Sequence, residues 1–234
     1  MKTCEILGVN ISNVTMEEAV GYAKDFSTNG VFSVFTPNPE IIMLAQTDCD
    51  YKNILNSANM LLPDGIGVVI ASRLLKNPLP ERVAGYDFVC NLLQQQYSFY
   101  LLGAKPHVVE LAADVLTKKG VSVVGYHHGY FEQDDSIIKD INDKKPDVLL
   151  VCLGAPKQEK WIIQNKNRLP DCICIGAGGT LDVLAGEVKR APEFYIKFNI
   201  EWLYRSVMQP SRFKRLFVIP KFLFKVLKGD GVKC

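Results

Sequence analysis

Four polar stretches follow apolar runs and carry side chains suited to acid–base or phosphate chemistry. Asp64 lies in "LLPDGIGVV", with Leu61-Leu62 before it and Ile66 and Val68 to Ile70 after it. A carboxylate among such neighbours is partly desolvated, which raises its pKa toward that of a general base. Pro-Asp-Gly is equally a turn signature in which the aspartate only shapes the backbone. In "FTPNPEIIMLA", Thr36 and Asn38 offer hydrogen-bonding groups at the carboxyl end of a strand, where open α/β sheets bind substrates. Asn38 before Pro39 also reads as a helix cap, and the two roles are compatible. Arg82, in "PLPERVAGYDF", sits on a loop constrained by prolines and a glycine. It suits a bidentate pair with phosphate or carboxylate, or a surface ion pair with a nearby acid. Gln158, in "LGAPKQEKW", is placed to hold a sugar or nucleotide hydroxyl.

A fifth stretch, "GAGGTLD", follows an apolar run and precedes a helical pattern. Gly176, Gly178 and Gly179 would let backbone N–H groups, with Thr180, approach a phosphate or diphosphate. A plain turn explains the same residues, because this is neither a dinucleotide fingerprint nor a P-loop. Metal chemistry is not expected. His127-His128 has no third ligand at metal-binding spacing, and Asp48 and Asp50 fall in a helical pattern where i and i+2 do not share a face.

Positioning these residues requires a particular scaffold. "VFSVFTP", "SFYLLGA", "VSVVGYH", "DVLLVCLGAP" and "CICIGAGG" read as strands that end in Gly or Pro turns. Helical patterns begin near Met16, Glu40, Tyr86, Pro106, Ser136, Lys157 and Leu181. The alternation predicts an α/β fold, a Rossmann-like and mostly parallel sheet flanked by helices. Near Ala191-Pro192 the rhythm stops, so residues 1–190 are expected to form the catalytic body. Residues 191–234 are expected to form a C-terminal helical, basic, amphipathic appendage that binds membranes.

Charge supports that division. The 234 residues carry a net charge of +2, yet residues 205–234 hold eight Lys/Arg against Asp230 alone, leaving 19 basic and 24 acidic residues elsewhere. In Phe213–Lys228 the basic residues lie beside large apolar ones, which favours an anionic membrane surface over nucleic acid. Pro220 should kink that segment or split it into two helices. Seven cysteines without a C-x-x-C pair suggest reduced core thiols. The N-terminus has no signal-peptide pattern, and no stretch approaches the roughly 18 to 20 apolar residues of a spanning helix. A cytoplasmic protein, peripheral on the inner face of the membrane, is expected.

In order along the chain, "TPNPE", "LPDGIG", "ERVAGYDF", "LLGAKP", "HHGYF", "LGAPKQEKW", "GAGGTLDVLAGEVKRAP" and "EWLYR" resemble the WecG/TagA/CpsF family of glycosyltransferases, and its TagA branch above all. The resemblance runs from about Gly8 to Arg215. It implies a membrane-associated, metal-independent, inverting enzyme with no cofactor. Such an enzyme moves an N-acetylmannosamine-type sugar from a UDP-sugar donor to polyprenyl-diphosphate-linked N-acetylglucosamine, in building the linkage unit of wall teichoic acid. By motif it assigns the base to Asp64, its partner threonine to Thr36, a substrate-contacting arginine to Arg82 and a glutamine to Gln158. The C-terminal arginines that close the site and contact the lipid diphosphate fall on Arg205, Arg212 and Arg215.

The residues alone leave other readings open. A noncatalytic module that docks on membranes through a nucleotide or anionic lipid would share the basic tail and the glycine turn. A related donor such as the UDP-linked uronic acid of N-acetylmannosamine would share every motif. A nicotinamide-dependent oxidoreductase is disfavoured, since no full dinucleotide fingerprint follows the first strand. The sequence sets no oligomeric state, and a homo-oligomer stays open.

Overall fold

The computed structural model describes residues 1–26, 30–197, 201–208, 217–229 and 231. The chain forms two compact units, one of residues 1–17, 36–84 and 190–234 and the other of residues 18–35 and 85–189. The appendage expected from residue 191 onward therefore belongs to the same unit as the N-terminus and the segment carrying Asp64.

The first unit opens on an antiparallel hairpin, β1 (Thr3–Ile6) and β2 (Val9–Ser12), paired from Thr3 with Ser12 to Ile6 with Val9. Its two-residue turn has positive φ at both Leu7 (52°) and Gly8 (79°), the twist that tight hairpins require. Helix α1 (Met16–Lys24) follows, and from Glu18 onward it belongs to the second unit.

A six-stranded sheet contains β3 (Val31–Phe35), β4 (Met60–Leu61), β5 (Ser98–Gly103), β6 (Ser122–His127), β7 (Val148–Cys152) and β8 (Cys172–Gly176), in the order β4-β3-β8-β7-β5-β6. The pairs β3/β8, β8/β7, β7/β5 and β5/β6 are parallel. Every residue of β7 and β8 is buried, the pattern of a sheet covered on both faces. Each large aliphatic side chain so buried contributes about 1.5–3 kcal/mol relative to an exposed one.

In the second unit the strands are joined through α5 (Gly85–Leu93), α6 (Pro106–Lys118), α7 (Asp135–Lys144), α8 (Lys157–Asn165) and α9 (Thr180–Leu184). In α6, Pro106 occupies the first turn, and Val108, Ala112 and Leu116 form a buried row at intervals of four. In the first unit lie α2 (Pro39–Leu44), α3 (Cys49–Asn56), α4 (Ile66–Leu74), α10 (Glu193–Lys197), α11 (Glu201–Met208) and α12 (Val218–Lys228).

Within α12 Pro220 stands in the first turn, where the missing N–H has no intrahelical partner to lose. Residues 213–216, the start of the segment that Pro220 was expected to kink or split, lie outside the described residues. Cys4, Cys90, Cys152, Cys172 and Cys174 are free thiols, whereas Cys49 is disulfide-bonded, so the expectation of reduced thiols fails there.

Candidate functional site

In the first unit three of the chemically interesting stretches converge. Asn38 caps α2, its Oδ1 accepting from the Ile41 N–H at 3.1 Å, with Pro39 at the first helical position. The turn before α4 is tight, for the Asp64 N–H donates to the Leu62 carbonyl at 2.8 Å and Gly65 has φ +89°. A Cβ at Gly65 would stand 3.5 Å from Pro39 Cδ and 3.8 Å from Asn38 Cβ. The Val83 N–H donates to the Pro63 carbonyl at 3.0 Å, which pins the loop bearing Arg82 beside the turn bearing Asp64. Asn38, Asp64 and Arg82 thus share one neighbourhood. Thr36 is buried, and Asp64 is half-buried, with the buried Leu61, Leu62, Val68 and Val69 flanking it in the sequence.

The C-terminal segment reaches this neighbourhood twice. Arg82 Nη1 lies 4.0 Å from Glu201 Oε2, so Arg82 does have an acid as ion-pair partner, in α11, but the pair is largely buried and not at the surface. Arg205 follows Glu201 by one helical turn. Farther on, Ile219 of α12 packs on the start of α4, where a Cβ at Gly67 would lie 3.5 Å from Ile219 Cγ2 and 2.7 Å from Pro39 Cγ. Arg212 and Arg215 lie outside the described residues.

Helix α12 turns Phe222 and Val226 inward while Phe217, Phe224 and Leu227 are 67, 59 and 66% exposed. Lys221 and Lys228 are exposed beside them, and Lys228 Nζ stands 4.7 Å from the Phe224 ring centre. The packed face centres on Phe222 and Val226, and the outward face is apolar and basic. No helix among the described residues is long and apolar enough to cross a membrane.

In the second unit the glycine turn differs from a phosphate cradle. The Ala177 N–H donates to the Val151 carbonyl at 3.0 Å, and the Gly178 N–H to Gln158 Oε1 at 2.9 Å. The Thr180 N–H and Oγ1 both donate to the Ala177 carbonyl, at 3.2 and 2.7 Å. Those donors are engaged inside the protein, and α9 is a helix of only five residues. Gly179 is exposed and Gly178 half-exposed at φ +55°, so they are the turn residues that face outward. Gly176 and Gln158 are both buried.

The topology points to a different place for a ligand in this unit. From β5 the chain moves to β6 on one side and then returns through β7 on the other, which makes the carboxyl ends of β5 and β7 a topological switch point. There Gly103 has φ +137°, and a Cβ on it would be 2.4 Å from the Cys152 carbonyl oxygen. The Gly129 N–H closes the same corner by donating to the Ala104 carbonyl at 2.9 Å. Cys152 offers no nucleophile, because burial pushes its thiol up to about 12. His127 Nδ1 lies 2.8 Å from the His128 carbonyl oxygen, and the Tyr130 N–H donates to His128 Nδ1 at 3.2 Å. Among the described residues no group of three or more His, Cys, Asp or Glu is placed to hold a metal ion.

The model of the glycosyl transferase WecG/TagA/CpsF family matches residues 4–231. The chain belongs to that family. Among curated relatives of this WecG/TagA/CpsF member is a protein of Staphylococcus aureus strain MW2, 40% identical over 96% of this chain and 92% of its own length. Another, of Bacillus subtilis strain 168, is 41% identical over 86% of this chain and 80% of its own. Both bear the name N-acetylglucosaminyldiphosphoundecaprenol N-acetyl-beta-D-mannosaminyltransferase.

Two partners in this family member escaped the sequence reading. Glu201 was hidden in "EWLYR", although its spacing of four from Arg205 marks a shared helix face. Glu159, fully buried beside Gln158, gave no signal because acids at helix starts are ordinarily solvated.

Proposed function

We propose that the protein transfers N-acetylmannosamine from UDP-N-acetylmannosamine to N-acetylglucosaminyl-diphospho-polyprenol, with inversion at the anomeric carbon. The carrying observation is the meeting of the Asn38, Asp64 and Arg82 stretches in one unit of a WecG/TagA/CpsF family chain. The relatives' names supply the transferred sugar and the acceptor.

In this reading Asp64 takes the proton from the acceptor hydroxyl as that oxygen attacks the sugar's anomeric carbon, and the bond to UDP breaks. Thr36 and Asn38 orient the reacting groups. Arg82, with Arg205, Arg212 and Arg215, offsets the charge that develops on the leaving diphosphate. Within the second unit the carboxyl ends of β5 and β7 are a ligand position by the switch-point rule, and Gly178, Gly179 and Thr180 shape the neighbouring turn after β8. No metal or other cofactor takes part.

The exposed apolar and basic face of α12 lies in the interface of an anionic membrane, which holds the enzyme on the cytoplasmic surface where a polyprenyl acceptor resides. Because Ile219 of the same helix packs on the start of α4, membrane docking and the Asp64 turn share one structural support.

The test is the product. In EDTA, with vesicles present, the full chain should convert UDP-N-acetylmannosamine and a short-chain acceptor into a β-linked disaccharide lipid, identified by mass spectrometry and NMR. An α-linked product would reject inversion, and a strict requirement for divalent metal would reject the cofactor-free reading.

A further inference from the structure

The sequence marks Gln158 as a contact for a substrate hydroxyl, and the structure gives its amide other work. Gln158 is 2% exposed. Its Oε1 accepts from the Gly178 N–H at 2.9 Å, and its Nε2 donates to Glu159 Oε1 at 2.8 Å, with Glu159 fully buried. The two bonds use opposite ends of one planar amide, so its orientation is fixed in a way that neither a carboxylate nor a flipped amide would satisfy.

The space the amide occupies is made by a glycine. A Cβ at Gly176 would come within 3.2 Å of Gln158 Nε2, 3.4 Å of its Cδ and 3.3 Å of Phe35 Cδ1. Phe35 is the register partner of Gly176 in the β3/β8 pair, and Thr36 is the next residue in the chain. The amide is thus wedged at the strand end from which Thr36 emerges, and from there it also holds the turn after β8 through Gly178.

We propose that Gln158 is a positioning residue: braced by Glu159, it fixes the Gly176–Thr180 turn and, through Gly176 and Phe35, the end of β3 that presents Thr36. The inference rests on the reading above that Thr36 serves the transfer. Group placement matters steeply in such a reaction, for a shift of about 1 Å can cost on the order of 10²-fold. A residue that holds bound substrate equally in the ground state and the transition state acts instead on KM.

The experiment uses the full chain with vesicles, UDP-N-acetylmannosamine and a short-chain acceptor. Gln158→Met, which keeps the volume and loses both hydrogen bonds, should lower kcat about ten-fold and leave both KM values within about two-fold. Gly176→Ala should lower kcat similarly, because its methyl displaces the amide. In the double variant Gln158→Ala/Gly176→Ala the methyl enters vacated space, so kcat should fall no further than in Gly176→Ala alone. A raised donor KM with kcat retained in Gln158→Met would overturn the proposal in favour of direct contact, and so would multiplying effects in the double variant. Hydrogen exchange gives a readout independent of turnover. The peptide spanning residues 175–181 should exchange at least about ten-fold faster in Gln158→Met, as expected when a protecting hydrogen bond is lost. Unchanged exchange there would overturn the proposal even if the wild-type chain transferred no sugar, an outcome that would separately sink the transferase reading.

Discussion

Arg82 and Glu201 face each other at 4.0 Å with both side chains only 12% exposed, tying the loop beside Asp64 to the helix that carries Arg205. Removing one partner of a largely buried pair leaves the other charge uncompensated. Glu201→Gln should therefore lower kcat/KM about ten-fold, with a smaller loss in Glu201→Asp, which keeps the charge. Steady-state kinetics on the two variants checks this, and equal, near-normal values would reduce the pair to a surface contact.

Asp64 sits at a backbone turn in which Gly65 supplies the positive φ and the Asp64 N–H is bonded to the Leu62 carbonyl, and asparagine keeps that N–H and the side-chain shape. Asp64→Asn should accordingly fold normally and bind donor while losing turnover by about 10² or more, as expected for a general base. Isothermal titration with UDP beside a turnover assay separates the two quantities. Near-normal turnover would remove Asp64 from that role.

Gly67 has no room for a methyl, since the nearest atom to its Cβ position is Pro39 Cγ at 2.7 Å and the proline ring cannot swing away. Overpacking of this kind costs about 1–3 kcal/mol, partly offset by roughly 1 kcal/mol from replacing a helical glycine with alanine. Gly67→Ala should be destabilised by up to about 2 kcal/mol in chemical denaturation. A stabilised variant would show that the α2/α4 contact yields easily.

The outward face of α12 predicts how the charge is used. Lysines near an anionic surface contribute about 1 kcal/mol each, so Lys221→Glu with Lys225→Glu should weaken binding to phosphatidylserine vesicles at least ten-fold. Arg215→Ala should instead lower turnover even on a soluble acceptor. If both changes altered only vesicle binding, the segment would be an anchor with no part in the reaction.

Acid stability offers a check on the second unit. Burial opposes ionisation of Asp140, but hydrogen bonds from Tyr100 Oη at 2.8 Å and Lys144 Nζ at 3.0 Å, with the Lys144 charge, outweigh it and hold the carboxyl below its ordinary range. A carboxyl lowered on folding contributes stability above its unfolded pKa and loses it as pH falls through the folded value. Tyr100→Phe should therefore lose less stability than the wild type between neutral pH and pH 3, measured by urea denaturation. Parallel losses would show that the hydrogen bond does not govern the shift.

Much of this was legible in the sequence. The five parallel strands announced themselves because strands buried on both faces are continuous apolar runs bounded by glycine and proline. The hairpin β1/β2 was missed because its strands are four residues long and its turn pairs Leu7 with Gly8, without the usual Asn-Gly or Asp-Gly signal. Helix α4 was missed because Gly67, Val68, Val69, Ala71 and Ser72 are all buried, leaving little polar face to reveal a period. At the site, Asp64 and Arg82 stood out by residue type, whereas their proximity depends on the bond from Val83 to Pro63, which no local pattern encodes. Gly176 read as open space for phosphate because sequence cannot show that Gln158 already fills it.

Acceptor-dependent release of UDP tests the central claim most directly. The full chain, bound to anionic vesicles with a short-chain N-acetylglucosaminyl-diphospho-lipid, would be given UDP-N-acetylmannosamine, UDP-N-acetylglucosamine and the UDP-linked uronic acid of N-acetylmannosamine in separate reactions. The account predicts UDP release with the first donor, dependent on acceptor, and little with the others. Release with none of them above the acceptor-free background, from folded and vesicle-bound protein, would contradict it.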